Sequence, residues 1–399
     1  MPKRASPNLL LLCLFSLLAY GFLQLSCCYC SSSSSSSTTT TTREVVVVKR
    51  SEDENHNNKI KGMFVFGSSL VDNGNNNFLQ VSMAKADYSP YGIDFPLGPS
   101  GRFTNGKNVI DLLGDKLKLG YYIPPFTNPS TKGTKVVHGV NYASGGSGIL
   151  DDTGSLAGQV ISLSQQMRNF EEVTLPDLNA QLGCSSRESL PNYLFVVGSG
   201  GNDYSFNYFL RKSSSSSSSN YTSIEAFTSN LITKLSGQLK RLYDMGGRKF
   251  VLMSLNPIGC TPMAKAMHLR EKNNKGCNQK LNQAAHLFNT HLKSLVDVIK
   301  PRMPASNLVY VNSYKVIRDI IRNPSFTGFS DSSNPCCEVA TTGVLCKRGG
   351  STCTNRTHNV FFDGLHPTEA VNELIARNAY ASNLENEVYP INIKELVRM

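Results

Sequence analysis

Along most of the chain, short apolar runs alternate with longer stretches in which apolar residues recur every three or four positions. The runs are 62–67 (GMFVFG), 136–142 (VVHGVNY), 193–198 (YLFVVG), 249–254 (KFVLMS) and 307–311 (NLVYV). They are short and rich in β-branched and aromatic residues, as expected of strands buried on both faces. The helix-period stretches fall at about 106–118, 154–171, 223–245, 277–300 and 367–382. Within one of them, Leu281, Ala284, Ala285, Phe288, Leu292, Leu295 and Val296 share one helical face. Strands alternating with helices predict βαβ units and a parallel sheet covered on both sides. The pattern therefore predicts a single doubly wound α/β domain over 59–390 with five parallel strands, followed by a tail at 391–399.

The first 58 residues break the pattern. Lys3 and Arg4 precede an apolar run from Leu9 to Leu25, interrupted by Ser16, Gly21 and Gln24. This reads as a secretory signal over 1–30 rather than a membrane anchor, because the run is short for a span and polar positions divide it. No later stretch approaches membrane length, so no integral membrane association is expected. Residues 31–42 are unbroken Ser/Thr, and 31–58 reads as a flexible leader. A second serine run, Ser213 to Ser219, reads as a loop-tip insertion.

Export changes how the eleven cysteines are read. Cys13, Cys27, Cys28 and Cys30 lie in or beside the signal, leaving Cys184, Cys260, Cys277, Cys336, Cys337, Cys346 and Cys353. An odd number implies that at least one thiol stays free or pairs elsewhere. No C-x-x-C pair occurs among the seven, which favours disulfides over a zinc site, with the connectivity left open. Asn220 (NYT) and Asn355 (NRT) are glycosylation acceptors in an exported chain. Lys and Arg exceed Asp and Glu by 40 to 29, a net charge of +11, but in scattered ones and twos. No basic block interleaved with aromatics suggests nucleic acid, although the charge would suit retention on anionic cell-wall polymers.

In doubly wound sheets, function collects at the carboxyl ends of the strands. Three of the predicted strands end in small or hydrogen-bonding groups: Gly67-Ser68-Ser69, Ala143-Ser144-Gly145-Gly146 and Gly200-Gly201-Asn202-Asp203. Far downstream, FFDGLHPTEA places Asp363 three residues before His366 on a turn marked by Gly364 and Pro367. That spacing lets a carboxylate hold the imidazole Nδ1 while Nε2 faces outward. Each feature alone is weak. Together they supply the parts of acyl transfer, namely a nucleophile, a base, a group orienting the base and donors for the oxyanion. There is no G-x-S-x-G elbow, P-loop or H-E-x-x-H. DNGNNN from Asp72 lacks the glycine and the bidentate Glu of a calcium loop, and His286 and His291 lie five apart on a helix. No metal or other cofactor is expected.

The blocks FVFGSSLVDNGNNN, PYGIDFPLGPSGRFTNGKNVIDLL, NYASGGSGIL, GGNDY and FFDGLHPTEA, in this order, resemble the plant GDSL esterase/lipase family of the SGNH hydrolase superfamily. The resemblance runs from about 62 to 382. It implies a flavodoxin-like three-layer α/β/α sandwich (the SGNH hydrolase fold) and a secreted monomeric esterase/lipase acting on lipid or other acyl esters. It implies Ser69 as nucleophile, His366 as base and Asp363 as its orienting group. The oxyanion would be held by the Ser69 N–H, the Asn202 side chain and the N–H of Gly145, with Gly146 the adjacent choice. The tetrad's usual aspartate is replaced here by Ser68, expected to brace the loop through its hydroxyl. That replacement leaves a second reading open, an inactive scaffold serving as a secreted binding or cell-wall protein.

Overall fold

A computed structural model describes residues 60–210, 223–272 and 276–399. The signal, the leader, the Ser213–Ser219 run and Asn220 lie outside these residues. Four strands form a parallel ladder: β1 (Gly62–Gly67), β2 (Tyr193–Gly198), β3 (Lys249–Met253) and β4 (Asn307–Val311). Beyond β4 come β5 (Asp331–Pro335) and β6 (Asn359–Phe361), which pair with each other, and β7 (Val388–Tyr389), which closes the main sheet antiparallel to β4. The sheet order is β1-β2-β3-β4-β7.

The fifth strand is thus not the expected 136–142 run. Gly133–His138 is a 3₁₀ turn, and Gly139 adopts φ 91°, which breaks extended pairing. Past it the chain still runs beside β1: Val65 N–H donates to Val140 O, Tyr142 N–H to Val65 O and Ser144 N–H to Gly67 O. Its other side is met at Asn141 by the backbone of Pro124 and Phe126 and elsewhere by side chains. Asn75 Nδ2 donates to the carbonyls of Asn141 and Ala143, and Asn76 Nδ2 to that of Gly145. The DNGNNN stretch is therefore an edge cover made of amides, which satisfies backbone groups that would otherwise be orphaned.

Alternate residues of each strand face opposite helical layers. Phe64, Phe66, Phe195, Val197, Phe250, Leu252, Leu308 and Tyr310 pack against α2 (Leu163–Asn169), α3 (Ile224–Met245) and α4 (Gln279–Ile299), preceded in the chain by α1 (Val109–Lys116). Met63, Val65, Leu194, Val196, Val251, Met253, Val309 and Val311 pack instead against α1, α5 (Ser313–Arg322) and α6 (Glu369–Ala381). This is a three-layer α/β/α sandwich with a mostly parallel sheet. Asn108 caps α1 in a reciprocal box with Asp111, Ser223 caps α3 and Asn278 caps α4. The expected 154–171 helix starts later, because Gly154 and Gly158 hold positive φ and Ser162 caps a fresh start, and it runs on through a π turn at Phe170–Thr174 to Leu182. Residues beyond 390 form a short turn of helix whose Ile393 and Leu396 are buried.

Candidate active site

β1 ends in a backbone that only glycine fits. Gly67 holds φ 150°, and a Cβ there would stand 2.3 Å from the Gly198 carbonyl. The buried amide of Gln166 clamps this peptide, accepting from Gly67 N–H and donating to Gly67 O at 2.8 Å each. The chain then turns, and Ser69 lines an open cavity at the carboxyl edge of the sheet.

His366 meets Ser69 there, with Nε2 2.8 Å from Ser69 Oγ. On its other side Nδ1 lies 2.8 and 2.9 Å from the two oxygens of Asp363, which is fully buried. A carboxylate only accepts, so Nδ1 carries the proton and Nε2 is left to accept from the Ser69 hydroxyl. The turn holding the pair closes on itself, since Asp363 Oδ1 also accepts from the N–H groups of Leu365 (2.8 Å) and His366 (2.7 Å). The Phe103 ring lies tilted against the imidazole, centroids 5.0 Å apart. Ser69 and the distant Asp363–His366 pair are thus drawn into one hydrogen-bonded line.

Asn202 also lines the cavity, just past Gly200 with its φ of 125°. Its Nδ2 donates to Ser147 O at 2.8 Å, which fixes the amide and leaves its second hydrogen unused by that bond. Its neighbour Asp203 is fully buried and accepts from the N–H groups of Ile149 and Leu150 and from Thr153 Oγ1. Burial pushes the Asp203 carboxyl up to about 6 against the pull of those donors.

Gly145 departs from expectation. Its N–H donates to Asp72 Oδ2 at 2.9 Å, and none of Gly145, Gly146 and Gly148 lines the cavity. Asp72 is fully buried and also accepts from Gly74 and Asn75; burial raises its carboxyl to about 6. Position 145 must be glycine because a Cβ would lie 2.5 Å from the Phe103 ring that covers His366. Among the described residues, by contrast, the N–H groups of Ser69, Gly146 and Gly148 have no hydrogen-bond partner. Gly148 was passed over in the sequence; its signal is the missing Cβ, which would meet the Asp203 carboxylate at 2.4 Å.

Ser68 is buried and lines the same cavity, yet its Oγ has no hydrogen-bond partner among the described residues, so it does not brace the loop as expected. Extending the strand register, by one position past Gly67↔Gly198 and by two past Val197↔Leu252, sets Ser68, Ser199 and Ser254 side by side across the ends of β1, β2 and β3. Ser254 bonds with Ser313 and Tyr314, whereas the buried Ser199 hydroxyl is also unpartnered. Around this row the cavity wall is apolar, with Phe206, Leu255, Ile258, Leu365 and Ile375.

Three disulfides hold the surrounding loops: Cys260–Cys277, Cys336–Cys353 and Cys337–Cys346. Each closes a short loop of the size for which chain-entropy models give about 3 kcal/mol. Cys184 lies outside all three. Asn355 is exposed, and its Oδ1 accepts from the N–H and hydroxyl of Thr357. Among the described residues, no helix is long and apolar enough to cross a membrane.

Fold and site together define an α/β/α protein with a serine–histidine–aspartate line beside an open, partly apolar cavity. Residues 63–379 match the family described as GDSL-like Lipase/Acylhydrolase. GDSL esterase/lipase At1g29670 of Arabidopsis thaliana is 40% identical over 340 residues, covering 84% of this chain and 91% of that protein. GDSL esterase/lipase At4g16230 of the same plant is 39% identical, covering 86% of this chain and 92% of its own length. GDSL esterase/lipase 7, also from Arabidopsis thaliana, is 37% identical over 84% and 92% respectively. The chain belongs to the GDSL esterase/lipase family and is an ester-bond hydrolase of that type.

Proposed function

We propose that the protein is a secreted carboxylic-ester hydrolase working through an acyl-enzyme on Ser69. The observation that carries this reading is the unbroken Asp363–His366–Ser69 hydrogen-bonded line, with the tautomer dictated by the carboxylate. His366 Nε2 takes the hydroxyl proton as Ser69 Oγ attacks the ester carbonyl, and Asp363 stabilises the imidazolium that results. The imidazolium returns its proton to the departing alkoxide. Water, activated by the same nitrogen, then releases the acid and restores the serine.

The oxyanion is held by Ser69 N–H and by the second hydrogen of Asn202 Nδ2. Gly145 N–H is taken by Asp72 Oδ2, so in this reading the adjacent Gly146 N–H, which is unpartnered among the described residues, is the other backbone donor. The loss of one such donor costs about 3 kcal/mol of transition-state stabilisation. The apolar cavity wall takes the acyl or alcohol chain of the substrate. Export rests on the N-terminal basic-then-apolar pattern and on three disulfides, which need an oxidising compartment. In this reading the chain acts as a monomer, Asn220 and Asn355 carry glycans, and its net positive charge retains it on anionic wall polymers.

A fluorophosphonate probe tests the reading in one assay. The purified protein should be labelled at Ser69, and labelling should vanish in His366→Ala. An unlabelled protein would favour the inactive scaffold, which the serine at position 68 motivates.

A further inference from the structure

Behind the Asp363–His366 pair stands a residue that the reaction sequence leaves out. Tyr91 is fully buried, and its hydroxyl donates to Asp363 Oδ2 at 2.6 Å. The same Tyr91 oxygen accepts from Cys346 N–H at 3.0 Å, so it is held from both sides. Cys346 is disulfide-bonded to Cys337, and Cys337 N–H donates to Phe362 O, in the residue just before Asp363. The Gly364 N–H, just after it, donates to Val344 O. The Tyr91 ring packs edge-on against Phe362 and Phe103, and Phe103 is the ring against which His366 lies. Tyr91, the disulfide loop and the Asp363 turn thus form one rigid bracket.

We propose that Tyr91 is a positioning residue of the catalytic machinery: it locks the Asp363 carboxylate in its rotamer and sets how strongly that carboxylate accepts from His366. This rests on the acyl-enzyme reading above. A carboxylate only accepts, so the phenol must be the donor, and such charge-assisted bonds are the strong ones. Burial, followed by the neighbouring Asp363 charge, holds the Tyr91 phenol well above its ordinary value, so it keeps its proton wherever the enzyme works. The other titratable group facing the pair is Tyr88, with Arg348 stacked on its ring and Asp87 beside it at the surface. Neither Arg348 nor Asp87 bonds to Asp363.

The consequence is specific. A carboxylate without its outer donor holds the imidazolium more tightly, so the base stays protonated to higher pH. It also gains freedom to rotate, so His366 is less well aimed. In Tyr91→Phe, kcat on a short-chain aryl ester should fall about 10- to 100-fold, the range that one hydrogen bond to a charged group commands. KM should stay within about twofold, and the acid limb of the kcat–pH profile should move upward. Incorporating 3-fluorotyrosine at position 91, a more acidic donor of nearly the same shape, should move the acid limb downward; this arm serves even if Tyr91→Phe does not fold. A merely structural Tyr91 would lower Tm and leave the limb where it was. An unmoved acid limb in both variants, with the parent protein labelled at Ser69 by the fluorophosphonate probe, overturns this role alone. A parent that is not labelled overturns the acyl-enzyme reading and this role with it.

Discussion

His366 Nε2 lies 2.8 Å from Ser69 Oγ although 297 positions separate the two residues along the chain. A contact between residues so distant exists only because β1 and the turn before α6 deliver both to the same edge of the sheet. Nucleophile and base then act as a unit, so removing either removes most of the rate. Ser69→Ala and His366→Ala should each lower kcat by about three decades or more. Asp363→Asn should cost less than either, because the turn's backbone bonds still place the histidine while its orienting charge is gone. Equal turnover by Ser69→Ala and the parent would sink the mechanism.

Asn202 separates oxyanion stabilisation from substrate binding. The oxyanion forms only after attack, so a group that serves it acts on kcat more than on KM. Asn202→Ala should lower kcat by about two to three decades with KM nearly unchanged. Steady-state kinetics on one aryl ester measures both, and a change confined to KM would show that the amide only positions substrate.

Two buried carboxyls make a prediction about pH and stability. Asp72 and Asp203 are raised from 3.8 to about 6, burial being the largest cause in both. Between those values the native state holds a proton that the unfolded chain has lost. Each group therefore contributes stability that is full below about pH 4 and is lost as pH rises through about 6, by about 3 kcal/mol. The carboxyl of Asp94, lowered chiefly by its hydrogen bond to Arg356, acts in the opposite sense and below about pH 4, so the two windows separate. Asp72→Asn should be less stable at every pH, because its amide would point a donor at Gly145 N–H, but its Tm should fall less steeply between pH 4 and 6. Parallel Tm–pH curves for variant and parent would refute this account.

The parallel core strands were legible because a strand buried on both faces is an uninterrupted apolar run, and Met63 to Phe66 and Leu194 to Val197 are such runs. VVHGVNY was misread for the same reason. It is apolar and buried enough to look like a strand, but its outer edge is satisfied by the backbone of Pro124 and Phe126 and by Asn75 and Asn76, side chains 66 and 69 positions away that periodicity cannot register. The two-residue β7 is too short to show any period. At the site, Ser69, Asp363 and His366 were legible as candidates through local motifs. Tyr91 and Gln166 were not, because each acts on a partner far along the chain, 272 positions away for Tyr91 and 99 for Gln166. The glycines of NYASGGSGIL look alike in sequence. Only the Phe103 ring and the Asp72 carboxylate, neither of them nearby in the chain, distinguish Gly145 from Gly146.

Position 68 is where this chain departs from the GDSL tetrad, and its geometry allows a sharp prediction. Ser68 N–H donates to Gly198 O and Ser68 O accepts from Val71 N–H, so the backbone alone pins the turn into the Ser69 segment. The hydroxyl adds no bond to that arrangement; it faces the cavity next to the unpartnered Ser199. Truncation should therefore lose no hydrogen bond and open only a small space already in contact with solvent. Ser68→Ala should change stability by no more than about 0.5 kcal/mol and kcat by no more than about tenfold. Ser68→Asp differs in kind. It puts a charge where no backbone N–H is aimed at the side chain, with only the neighbouring serine hydroxyls to solvate it, so it should lower Tm rather than raise it. Both variants should be melted and assayed beside Ser69→Ala on the same aryl ester. A Ser68→Ala enzyme as inactive as Ser69→Ala would mean that the Ser68 hydroxyl takes part in the chemistry, and the choice of nucleophile between the two serines would have to be reversed.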